Sequence, residues 1–132
     1  MTRERLPVGA IAADVVAVVV FVAVGRSVHD HGVSVTGLLA TSAPFLVGLV
    51  AGWWVSVARA WPAAGARAGV TVWLATVLVG LALRALVGQG VAPAFIVVAA
   101  LFLGLFQLGW RAALARRRGG RGDAKTQGDG GA

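Results

Sequence analysis

Four apolar runs, Val8 to Gly25, Val35 to Ala58, Ala68 to Val87 and Val91 to Trp110, fill most of this 132-residue chain and contain two formal charges, Asp14 and Arg84. They hold 18, 24, 20 and 20 residues, and about 20 helical residues cross a hydrocarbon core of roughly 30 Å. The chain is 58% hydrophobic and 13% charged, and a soluble domain this small could not hide so much apolar surface. In lipid every backbone amide needs an internal partner, which selects helices. The runs also lack the period-two alternation of a barrel. The expected fold is an all-α integral membrane protein with four transmembrane helices.

Short connections (Arg26 to Ser34, Arg59 to Arg67, and the Gly88, Gln89, Gly90 turn) force sequential helices into an up-down-up-down bundle. Pro7 and Pro93 stand where helices begin, and Pro44, inside the second run, is expected to kink it. Ten Arg and Lys residues lie on the side shared by the termini and the second connection, against Arg26 alone on the other side. The positive-inside bias therefore places both termini in the cytoplasm and the chain in the cell (plasma) membrane as a multi-pass protein. Trp53, Trp54, Trp61, Trp73 and Trp110 fall near the inner boundary and read as an interfacial belt. A start resembling a signal peptide, ending at Ala23, Val24 and Gly25, is read instead as a retained helix, because the run is too long and carries Asp14.

Residues 1–111 thus form one transmembrane domain with helices at about 8–25, 35–58, 68–87 and 91–110, and 112–132 read as a disordered basic Gly/Arg-rich cytoplasmic tail. The partners expected are the lipid bilayer, with anionic headgroups met by Arg116, Arg117, Arg118 and Arg121, and a second copy of the chain. The net charge of +7 does not point to nucleic acid, because no aromatic residue is interleaved with these arginines. Cysteine is absent, which removes disulfides and thiolate chemistry.

The candidate polar sites are Asp14, Arg84, Arg26, His29 and Asp30. A carboxylate inside a membrane costs roughly 2.5–3.5 kcal/mol near a helix centre, so Asp14 is either a protonatable coupling site or part of a buried pair, with Arg59 or Arg111 reaching in from the same side. It lies about 9 Å from the inner edge and Arg84 about 5 Å from the outer one at 1.5 Å per residue, which puts them in separate layers. Arg84 should sit near Arg26, His29, Asp30 and His31, with Asp30 as counter-ion to Arg26 or Arg84. Two histidines one residue apart make a weak metal signal, so no metal site and no cofactor are expected. Lines of small and polar residues at three- and four-residue spacing, including Gly48 and Gly52, mark close helix packing.

Asp14, Gly25-Arg26 followed by His29-Asp30, Pro44-Phe45, Trp73 with Thr76, Gly80 and Arg84, and Gly109-Trp110-Arg111 resemble a bacterial and archaeal family of small four-helix membrane proteins, domain of unknown function 3054. The resemblance covers roughly Ala13 to Arg111 and implies an integral membrane protein without an assigned activity. Small multidrug transporters are similar in architecture, with an acidic residue in helix one and a tryptophan in helix three. That family uses glutamate where this chain has Asp14, and fold-level likeness does not transfer function.

The first functional expectation is a transporter or channel-like subunit, oligomeric because four helices enclose little space, with Asp14 as its proton- or cation-linked site. The alternative is a non-catalytic membrane scaffold or interaction protein whose polar residues are structural. An enzyme is not expected, because no nucleophile, complete metal set or carboxylate pair accompanies His29 and His31.

Overall fold

The computed structural model describes residues 8–28 and 34–129. Every regular element among them is a helix: α1 (Val8–Val28), α2 (Val35–Ala58), α3 (Ala66–Leu86) and α4 (Pro93–Asp129). α1 neighbours α2 and α4, and α3 neighbours the same two, so the helices stand in a square of antiparallel neighbours. One end, the terminal end, carries the start of α1 and the α2–α3 connection. The α1–α2 and α3–α4 connections lie at the distal end.

Each helix is long and apolar enough to cross a membrane, yet only 28, 33, 28 and 22% of the four spans is buried inside the bundle. Val16, Val50, Leu78, Leu101 and Leu105 face outward with more than half their surface open. Helices apolar all round but covered on one side need an apolar solvent, which marks a multi-pass membrane protein.

Local chemistry sets the helix ends. The Ser34 hydroxyl caps α2 by accepting from the Gly37 N–H at 3.0 Å. Two helices end in the same six-residue motif. In α2, Trp61 N–H donates to Ser56 O and Ala60 N–H to Val57 O; in α3, Gln89 N–H donates to Arg84 O and Gly88 N–H to Ala85 O. The motif needs a left-handed residue after the cap. Gly88 supplies it at φ 78° without strain, whereas α2 uses Ala60 at φ 55°.

Pro44 lies within α2 and cannot donate to the Ala40 carbonyl one turn back. The freed carbonyl is taken by the Gln89 side-chain amide at 3.3 Å. α4 runs on past Trp110 to Asp129, so helical backbone covers 112–129 where composition reads as a disordered tail. Ala112, Ala113, Leu114 and Ala115 are strong helix formers and carry the helix out of its apolar span.

Packing is closest between α2 and α3. A Cβ on Gly48 would come within 2.5 Å of the Ala75 carbonyl, and one on Gly52 within 2.7 Å of the Val72 Cα. The distal half of the core is aromatic: Phe21 packs on Phe45, Phe95 and Phe102 with ring centroids 5.4–5.8 Å apart. Phe45 is fully buried against Gly80, whose missing side chain makes its space.

Candidate functional site

The terminal half of the core holds the polar centre. Asp14, on the inward face of α1, is fully buried and accepts four hydrogen bonds. Its Oδ1 receives Trp110 Nε1 at 3.0 Å and Arg111 Nη1 at 3.0 Å. Its Oδ2 receives Trp53 Nε1 at 3.1 Å and Arg111 Nη2 at 2.8 Å. Two donors on each oxygen fill the lone-pair sites a carboxylate offers, and the paired guanidinium is bidentate. Of the two arginines expected to reach Asp14, Arg111 is the partner.

Arg111 is itself held on all sides. Its Nε donates to the Ala63 carbonyl in the α2–α3 connection at 2.9 Å, and Nη1 also donates to Gln107 O at 2.8 Å. Its guanidinium carbon stands 4.3 Å from the Trp110 ring centroid and 5.7 Å from that of Trp53. α3 admits it through Gly69, where a Cβ would fall 2.7 Å from the arginine Cδ. One side chain therefore joins α1, α2, α3 and α4.

Three of the five tryptophans bond inward rather than facing outward. Trp53 and Trp110 turn inward to Asp14, and Trp73 donates to the Ala100 carbonyl of α4 at 2.9 Å. An indole N–H inside lipid needs an acceptor, and the bundle supplies one in each case. Trp54, 76% exposed, faces outward. Gln107, one turn from Arg111, is fully buried, and neither side-chain amide atom has a partner.

Arg84 and Arg26 lie at the distal end, away from Asp14. Arg84 donates to Gly90 O at 2.8 Å and to Gln89 Oε1 at 3.2 Å, and lies 4.2 Å over the Phe95 ring. Arg26 donates to Thr41 Oγ1 at 3.0 Å and covers Gly37. His29, Asp30 and His31 lie outside the described residues, and with them the expected Asp30 contact.

Among the described residues no three His, Cys, Asp or Glu side chains gather as metal ligands. A groove of about 770 Å³ between α1 and α2, lined by Ile11, Val15, Leu46, Val50 and the two tryptophans Trp53 and Trp54, is apolar along its walls. It offers hydrocarbon contact and no hydrogen-bonding chemistry.

Comparison with curated proteins and with solved structures returns no match. A family model described as "Protein of unknown function (DUF3054)" matches residues 11–114, which include Asp14, Trp53, Gln107, Trp110 and Arg111. The chain belongs to the DUF3054 family.

Proposed function

We propose that this protein is a non-catalytic membrane scaffold or interaction protein of the cell membrane, with both termini cytoplasmic, in which Asp14 and Arg111 form a structural latch. The observation that carries this reading is the saturation of Asp14 by four protein donors in a buried site. A proton- or cation-linked carboxylate must release its partners to water or cargo, and each oxygen of Asp14 has two to release. The aromatic core on its distal side favours the same reading, because the buried Phe21 and Phe45 pack with the partly buried Phe95 and Phe102 into an apolar cluster.

In this reading the surfaces meet partners and the core holds the shape. The exposed Arg116 and Arg117 close the membrane span of α4 and would meet anionic headgroups, and the apolar faces would meet lipid or a second copy. The test is Asp14→Asn in purified protein and in proteoliposomes. The latch reading expects lower thermal stability, by about 3 kcal/mol for a buried pair that loses one charge, and no Asp14-dependent proton flux in the wild type. A wild-type proton flux abolished by Asp14→Asn at unchanged stability would return the site to transport.

A further inference from the structure

Among the described residues, Ser42 Oγ and the Gln107 side chain are buried without partners, and Gln107, with two such atoms, is the one nearest the latch. It is fully buried on α4, and both its Nε2 and its Oε1 lack partners. A carboxamide inside a membrane has no bulk water in reserve, so an orphaned one marks a missing partner or a second arrangement. Helical side chains lean toward the helix N-terminus, so Gln107 leans distally, away from Asp14. Arg111 follows four residues later on the same face and donates back to the Gln107 carbonyl.

The four-residue period runs along α4. Ala99, Leu103, Gln107 and Arg111 form its buried ridge. Beside it stand Phe102, Phe106 and Trp110, so that Phe106 precedes Gln107 as Trp110 precedes Arg111. A ridge of this period maps onto itself when the helix slides by one turn, about 5.4 Å.

We infer that α4 has two registers against α1. In the register described above, Arg111 grips Asp14. In the second, one turn toward the terminal end, the Gln107 amide donates to Asp14 and Arg111 reaches the membrane surface, where water solvates it. The orphaned Nε2 of the first register is thereby given an acceptor in the second. The connection before α4 can follow the slide: residues 87–92 contain Gly88 and Gly90, at φ 78° and 85°, and six extended residues span roughly 20 Å. Arg84, which holds Gly90 O and Gln89, is the distal brake that the slide releases. The ion pair belongs to the first register alone, so removing the charge of Asp14 favours the second. This goes beyond the latch reading, and a distance along the bundle decides it independently of any flux or stability change.

The chain has no cysteine, so spin labels can be attached to cysteines replacing Leu86 at the distal end of α3 and Ala113 near the terminal end of α4, both exposed. The deciding variant exchanges the two polar residues, Gln107→Arg with Arg111→Gln. It is expected to fold and to lengthen the Leu86–Ala113 label distance by roughly 5 Å, one turn of helix. The wild-type distance in that variant, or its failure to accumulate as folded protein, overturns the two-register inference. Asp14→Asn is expected to add a population at the longer distance that disappears when Gln107→Leu is combined with it. A long-distance population that survives Gln107→Leu also overturns the inference.

Discussion

Arg111 meets Asp14 at 2.8 Å across 97 residues of sequence. The contact joins the first helix to the last, and the same guanidinium holds the Ala63 carbonyl between the middle two. Trp53 and Trp110 complete the carboxylate's donors and flank the guanidinium with their rings. The pair therefore ties α1 to α4 in a bundle whose remaining contacts are largely apolar.

The fork geometry distinguishes arginine from lysine at this position. Lysine at 111 keeps the charge but offers one donor centre where Arg111 serves both carboxylate oxygens, Ala63 O and Gln107 O. Arg111→Lys is expected to cost about 2 kcal/mol, since at least one charged hydrogen bond is lost from a buried site. Denaturant titration of the folded bundle, read by tryptophan fluorescence, measures it.

A second expectation concerns Pro44. Gln89→Ala removes the donor from the Ala40 carbonyl, which Pro44 has already deprived of its helical partner. The loss should be about 0.5–1.5 kcal/mol, the net worth of one hydrogen bond at an exposed site. Adding Pro44→Ala restores an N–H at position 44, and the double variant should recover most of that stability. No recovery would mean that Gln89 acts through Arg84 alone.

Ala60 carries a further one. It occupies the left-handed position of the α2 terminus at φ 55°, where Gly88 serves α3. Ala60→Gly should stabilise the protein by about 1 kcal/mol. Ala60→Val should destabilise it, and a thermal melt of both variants distinguishes the signs.

The α2–α3 contact gives the largest packing effect. Gly48→Val sets side-chain atoms against the Ala75 carbonyl and the Thr76 backbone, neither of which can turn aside. A loss of about 3 kcal/mol or separation of the two helices is expected. Gly25, whose Cβ would meet nothing within 4 Å, tolerates alanine and serves as the control.

Much of this was legible in the sequence. The apolar runs gave the helix count, and α2 occupies Val35–Ala58 as its run indicates. Helical rise placed Asp14 and Arg84 in separate layers, and reach from the same side put Arg111 among the two partners of Asp14. The roles of Trp53 and Trp110 were not legible. Tryptophan near a membrane boundary satisfies the interfacial preference whichever way it faces, and only the rotation of α2 and α4 turns these two indoles inward. Pro44 announces a freed carbonyl at Ala40, but nothing local names Gln89, 49 residues away, as its donor. Glycine and charge after Trp110 suggested a tail, whereas the alanine-rich turn that follows Arg111 propagates α4.

The latch is tested most directly by a double-mutant cycle at Asp14 and Arg111, using Asp14→Leu, Arg111→Leu and the combination, with unfolding free energies measured in one detergent. Each single change strands a buried charge and should cost about 3–5 kcal/mol, while the double change removes both charges and should cost far less than the sum. Two single losses that simply add would contradict the latch, because uncoupled residues cannot hold the bundle through each other.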